Sequence, residues 1–151
     1  EAAEEIRLSD SICTGLQLVN FWQDVRRDYD GGRIYIPAED MRRHGVSEQM
    51  LNASSASPEF IALITDEVAW AERCFDNGQS LVDTAPFVLR PAIQLFLEGG
   101  RGVAQAIRRA GFDTLGKRPV LPKRAKMNLA FRAALHMITI RVQHVFQGTR
   151  S

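Results

Sequence analysis

The sequence predicts an all-α fold, and three observations support that prediction. Apolar residues recur at intervals of three and four, the spacing of one helix face, while the period-2 alternation typical of strands is nearly absent. Ser57-Pro58-Glu59 combines an N-cap, a proline at the first helical position and an acidic first turn. Asp30-Gly31-Gly32 and Gly111 are typical helix stops. The chain is therefore expected to consist of helices joined by short connectors.

The expected elements follow from these boundaries. Helices are predicted at about residues 3–28, 38–43, 58–82, 90–110 and 123–145. The predicted connectors are an extended segment at 33–37, a turn capped by Ser47 that runs to residue 52, a loop at 53–57 and a segment at 114–122.

Composition excludes some classes of function. Charged residues make up 25% of the 151 residues and the net charge is +1, so there is no electrostatic case for nucleic-acid binding. No apolar run reaches the roughly 18 residues that span a bilayer. Cys13 and Cys74 lack the spacing of metal ligands, and we expect reduced core thiols in the cytoplasm.

The sequence starts with Glu1 and not with Met, and within a few residues it is predicted to be helical, with nothing before this helix that would cover it. We therefore expect residues 1–151 to form a single partial domain whose upstream half is not included.

The first predicted helix carries a polar stripe on an otherwise apolar surface. At roughly 100° per residue, four polar residues fall within roughly 80° of one another. These residues are Gln17, Asn20, Asp24 and Asp28. A helix that is apolar nearly all round belongs in a core, where carboxylates are costly unless their face lines a cavity. The stripe therefore predicts the polar wall of a cavity.

The two carboxylates of the stripe indicate a metal site. Asp24 and Asp28 lie one turn apart, at roughly 6 Å, where like charges repel unless a cation lies between or beside them. Mg²⁺ takes one or two carboxylates together with phosphate oxygens and water. Asn20 could supply a third oxygen, and Gln17 could donate to phosphate or substrate. The residues alone leave open the alternative of a solvated helix face.

The motif extends beyond the aspartate pair. The chain reads GLQLVNFWQDVRRD from Gly15 to Asp28, and then GRIYIP from Gly32 to Pro37. It resembles the squalene/phytoene synthase family, which shows Q-x-x-N-x-x-x-D-V-x-x-D followed by G-R-x-Y-x-P. The segment RPVLP, which begins at Arg118, resembles the basic segment that precedes the last helix of that family.

This resemblance implies the C-terminal part of the all-α isoprenoid synthase fold. It also implies an Mg²⁺-dependent enzyme that joins two prenyl diphosphates head to head through a cyclopropyl diphosphate intermediate. Asp24 and Asp28 would be catalytic metal ligands, assisted by Asn20. Gln17 would line the substrate pocket, and Arg118 would contact the diphosphate.

Residues beside the stripe indicate a branch of the family. Phytoene synthases usually have leucine-arginine before the first aspartate of this motif, where the present chain has Trp22-Gln23. The segment Trp22-Gln23 and the run Gly99-Gly100-Arg101-Gly102 resemble the corresponding sequences of the bacterial hopanoid-pathway branch. Members of that branch form hydroxysqualene without a reductant. NADPH is therefore not expected.

Phe21 would either face the substrate cavity or pack on a neighbouring helix. Arg33 and Tyr35 would either support the site or only fix the connector.

The first aspartate motif of the family has no counterpart here, because Asp40 and the pair Asp66-Glu67 are predicted to be ordinary exposed charges. We therefore expect the chain to be inactive alone and to require the upstream half of the domain. Two other interpretations stay open: a phytoene synthase, and a non-catalytic helical fragment that packs against another chain. A terpene cyclase is disfavoured, because such enzymes usually carry N-D-x-x-S-x-x-x-E instead.

Basic residues and histidines elsewhere in the chain are less specific signals. A late basic cluster could touch diphosphate or an anionic membrane surface, which would make the protein peripheral to the membrane, although such runs are more often simply solvated. Its members are Lys117, Arg118, Lys123, Arg124 and Lys126. His44 is predicted to lie on the surface and His136 in the core.

Overall fold

The computed structural model describes residues 2–121 and residue 127. It contains α1 (Ala2–Gln23), α2 (Val25–Asp30), α3 (Ala38–His44), a 3-10 helix (Glu48–Asn52), α4 (Pro58–Gly78), α5 (Leu81–Thr84) and α6 (Arg90–Arg109). These described residues include no strand, which confirms the all-α prediction. The predicted helix at 123–145, with His136, and the basic residues Lys123, Arg124 and Lys126 lie outside the described residues.

The core forms where α1, α4 and α6 meet around Phe75, which is fully buried. Glycines let the backbones approach this ring. A Cβ at Gly15 would lie 2.8 Å from Phe75 Cε1, and a Cβ at Gly100 would lie 2.3 Å from Phe75 Cζ. Both distances are shorter than van der Waals contact, so any larger residue would push the helices apart.

Helix ends follow the signals in the sequence. Ser57 precedes α4, and its hydroxyl oxygen accepts a hydrogen bond from the amide of Phe60 at 3.2 Å. Gly45 ends α3 in the left-handed region, with φ of 70°. These contacts satisfy backbone groups that a helix end leaves unpaired.

Two predicted helices are shorter than expected. The first helix breaks at Asp24, where the backbone leaves helical geometry with φ of −107° and ψ of 12°. The third ends at Gly78, since glycine is a poor helix former, and residues Leu81–Thr84 form a separate turn of helix. The prediction of one continuous helix was therefore wrong at both places.

The two cysteines differ in burial. Cys74 is buried and free, as predicted, whereas Cys13 is free but exposed, because it lies on the α1 face turned away from α4 and α6. None of the helices in the described part of the chain has the length and apolar character needed to cross a membrane.

Candidate active site

The polar stripe lies along α1 and continues onto α2. Gln17 and Asn20 are exposed, whereas the side chains of Asp24 and Asp28 are 22% and 16% exposed. The helix break does not separate them, because the Asp24 amide donates to the Asn20 carbonyl at 3.1 Å and the Asp28 amide to the Asp24 carbonyl at 2.9 Å. The structure thus keeps the four residues on one surface, although α1 is less buried than its apolar sequence predicted.

Asp24 is bound by an arginine from the far end of the described chain. Arg118 Nε donates to Asp24 Oδ1 at 2.6 Å, and Arg118 Nη2 donates to Oδ2 at 2.8 Å. This two-point geometry is the strong form of an arginine–carboxylate pair. The guanidinium lowers the pKa of Asp24 through these hydrogen bonds, against a smaller opposing effect of burial. Asp24 is therefore ionised at neutral pH, as a metal ligand must be.

Asp28 has its own arginine. Arg33 Nη2 donates to Asp28 Oδ1 at 3.0 Å, and the Arg33 amide donates to the Asp28 carbonyl at 2.8 Å. The connector can turn back in this way because Gly32 adopts a positive φ of 72°. Arg33 therefore contacts the stripe directly, besides fixing the connector.

Phe21 packs against the same connector. Its ring stacks on that of Tyr35 with centroids 4.2 Å apart and an interplanar angle of 13°. Its other neighbour, Trp22, meets it edge-on and belongs to the core, with 1% exposure. In the structure, the ring of Phe21 thus stacks on the connector and not on a neighbouring helix, and its role toward the substrate stays a prediction.

The sequence did not identify Gln23 as part of this cluster. Gln23 is 5% exposed, and its amide contacts both Arg118 and the carbonyl of Pro119. The available signal was a polar residue at a position that the apolar periodicity of α1 would bury. Its partners lie about 95 residues away in the sequence, so periodicity could not name them.

A groove lies between α3 and α4, away from the stripe. It is an open groove of about 600 Å³. Glu67 lines it and is 4% exposed, so the prediction of an ordinary exposed charge was wrong for this residue. Asp66, the preceding residue, is exposed, as predicted. His44 was predicted to lie on the surface, but its side chain is 14% exposed and its Nε2 lies 3.2 Å from Asp66 Oδ2. Both errors arise because α3 covers one face of α4.

The donor set of the stripe fits Mg²⁺. Two carboxylates and an amide oxygen are hard ligands, and a cation of this kind takes few protein ligands and completes its shell with phosphate oxygens and water. In the part of the chain described here, no three histidine, cysteine, aspartate or glutamate side chains form a metal-binding group. Of the stripe residues, Asp24 and Asp28 could hold such an ion, with phosphate oxygens and water as its other ligands.

Known proteins resemble this chain in sequence. The sequence model of the squalene/phytoene synthase family matches residues 1–125. A phytoene synthase from Thermus thermophilus is 32% identical over 103 residues, which cover 68% of this chain and 35% of that protein. A hydroxysqualene synthase from Sinorhizobium fredii is 31% identical over 99 residues, which cover 64% of this chain and 34% of that protein. The chain thus spans about a third of the length of these relatives.

Solved structures resemble it in fold. The squalene synthase HpnC from Alicyclobacillus acidocaldarius aligns with a TM-score of 0.70 and 38% identity over 72% of this chain and 41% of that one. A dehydrosqualene synthase aligns with a TM-score of 0.78 over 92% of this chain and 49% of that one, at 22% identity, which shows a common fold. The helical architecture is thus that of the isoprenoid synthases, as expected. With its aspartate stripe and its match over residues 1–125, the chain belongs to the squalene/phytoene synthase family.

Proposed function

We propose that the stripe forms one wall of a prenyl-diphosphate site in an Mg²⁺-dependent enzyme of hopanoid biosynthesis. The substrate would be farnesyl or presqualene diphosphate, and the product would be hydroxysqualene, or squalene where a hydride donor is supplied. The observation that carries this proposal is the pairing of two partly buried carboxylates, Asp24 and Asp28, with Arg118 and Arg33. Alternating acidic and basic groups at one surface suit a site that takes both a cation and a diphosphate.

The residues of the site would have different roles in binding the metal ion and the substrate. Asp24 and Asp28 would hold Mg²⁺, with Asn20 as an auxiliary oxygen ligand. When bound, the ion would neutralise charge that develops on the diphosphate leaving group. Arg118 would add a fixed positive charge beside the same group, and Gln17 would hydrogen-bond to substrate.

The apolar part of the site would protect the substrate from water. Once diphosphate departs, an allylic or cyclopropylcarbinyl cation must be kept from water until its intended capture, which for hydroxysqualene is the addition of one water with loss of a proton. Phe21 lies next to the stripe and contacts Tyr35, so this pair could shield one side of the reacting carbon. No reductant is needed for hydroxysqualene formation, and NADPH is accordingly not part of the proposal.

The chain would supply only part of this enzyme. Gln17 and Asn20 are exposed, and the chain spans between about a third and a half of the relatives and structures named above. We expect an upstream segment carrying the other aspartate motif to face the stripe, and we expect no turnover without it. Peripheral attachment to a membrane also remains a proposal, since the basic residues invoked for it lie mostly outside the described residues.

Binding of magnesium and pyrophosphate to the 151-residue chain tests the site. Calorimetry should show that Asp24→Asn or Asp28→Asn weakens binding by about tenfold or more, the usual effect of losing a charged contact. Asp30→Asn is the matched control, because Asp30 lies on α2 but pairs with Arg26. Normal binding by both Asp24→Asn and Asp28→Asn would show that the site assignment is wrong.

Phytoene synthase is the second candidate, because a relative of that name is as similar to this chain as the hydroxysqualene synthase is. A version extended to the length of the relatives should convert farnesyl or presqualene diphosphate to hydroxysqualene without NADPH and leave geranylgeranyl diphosphate unused. Phytoene as the product would favour the second candidate instead.

A further inference from the structure

Gln23 is a buried amide at the point where α1 ends. It is 5% exposed and directly precedes Asp24. A buried amide is costly unless its polar atoms find partners. Gln23 Nε2 donates to the Pro119 carbonyl at 2.5 Å, and Gln23 Oε1 accepts from Arg118 Nη2 at 3.0 Å. The side chain therefore ties the end of α1 to the connector that carries Arg118.

Gln23 and Asp24 hold the same guanidinium from two directions. Arg118 Nη2 contacts both Gln23 Oε1 and Asp24 Oδ2, while Nε contacts Asp24 Oδ1. The Asp24 carboxylate fixes the distance between itself and the Arg118 guanidinium. The Gln23 amide limits rotation of the guanidinium about that carboxylate. Because Gln23 also anchors the Pro119 carbonyl, the backbone behind Arg118 is held as well.

We propose that Gln23 is a positioning residue, which acts through Arg118 and presents the guanidinium beside Asp24 to the diphosphate. This inference rests on the proposed function of the site. Glutamine suits the task because one end accepts from Arg118 and the other donates to Pro119. Leucine would do neither, and glutamate would keep only the acceptor.

The first test follows Arg118 itself and needs no ligand. In the nitrogen-15-labelled 151-residue chain, the Arg118 Nε–H resonance is identified by its loss in Arg118→Lys. In Gln23→Leu the hydrogen exchange of Nε–H should become about tenfold faster or more, because the guanidinium loses the contact of Nη2 with Gln23 and its hydrogen bond from Nε to Asp24 then opens more often. Gln23→Glu should keep exchange slow, since the acceptor remains. Gln105→Leu, at an exposed position of α6, is the matched control and should change nothing.

The second test asks whether this orientation matters for the ligand. Gln23→Leu should weaken binding of magnesium pyrophosphate about tenfold when Arg118 is present and have little effect in an Arg118→Lys background. Equal weakening in both backgrounds would mean that Gln23 does not act through Arg118. Unchanged exchange in Gln23→Leu would also overturn the proposal. If the unaltered chain binds no magnesium pyrophosphate, the proposed function fails for this chain, while the exchange experiment still decides the role of Gln23.

Discussion

Replacing Glu67 with glutamine is expected to stabilise the protein at alkaline pH. Glu67 is 4% exposed, and burial raises its pKa from 4.5 to about 7, with a further contribution from Asp40. Arg43 opposes this shift, and Asp66 adds slightly to it. Near neutral pH, the buried carboxyl group must therefore either keep a proton or carry a poorly compensated charge.

The sign and size of the effect follow from linkage. The folded protein holds this proton to a higher pH than the unfolded chain, so the free energy of unfolding falls as the pH rises from 4.5 to about 7. At roughly 1.4 kcal/mol per pKa unit, the loss is on the order of 3 kcal/mol. A glutamine stays neutral at every pH and can donate to Asp40 as the protonated acid does. Glu67→Gln should therefore recover much of that loss above pH 7 and change little near pH 5.

Urea unfolding followed by circular dichroism between pH 5 and pH 8.5 measures this difference. The variant should show a flatter dependence of unfolding free energy on pH than the unaltered chain. Glu48→Gln, at an exposed position of the 3-10 helix, is the control and should leave the dependence unchanged. If Glu67→Gln and the unaltered chain lose stability in parallel as the pH rises, the explanation from Glu67 burial is refuted.

Two further predictions concern the packing and capping of the helices. Gly100→Ala should lower the free energy of unfolding by about 1–3 kcal/mol, because the new Cβ would lie 2.3 Å from Phe75 Cζ. Gly99→Ala is its matched control: outside the local helix backbone, no atom lies within 4 Å of the added methyl, so the same change should stabilise α6 by up to about 1 kcal/mol. Equal effects at both positions in thermal unfolding would contradict the close-packing argument. Ser57→Ala should lower the free energy of unfolding by about 1 kcal/mol, since it removes the acceptor for the Phe60 amide. Ser57→Thr should keep most of this stability. An unchanged melting temperature in the alanine variant would mean that the cap contributes nothing.

The sequence by itself determined the helical class and the main features of the stripe. Helical periodicity places Gln17, Asn20, Asp24 and Asp28 on one face, and the i to i−4 hydrogen bonds of the structure keep Asn20, Asp24 and Asp28 linked across the helix break. Ser57 was likewise recognisable as the start of a helix. Such features depend on interactions within one or two turns of backbone, so a local pattern is enough to predict them.

Only the tertiary structure decided which groups meet the stripe and which are buried. Arg118 reaches Asp24 across 94 positions of sequence, and Gln23 reaches Pro119 across 96. The same packing buries Glu67 under α3 and leaves Cys13 exposed, both against expectation. Hydrophobic patterning shows that a helix has a face to bury, but it does not specify which helix or connector covers that face, because the partner is selected by shape and charge once the chain is compact.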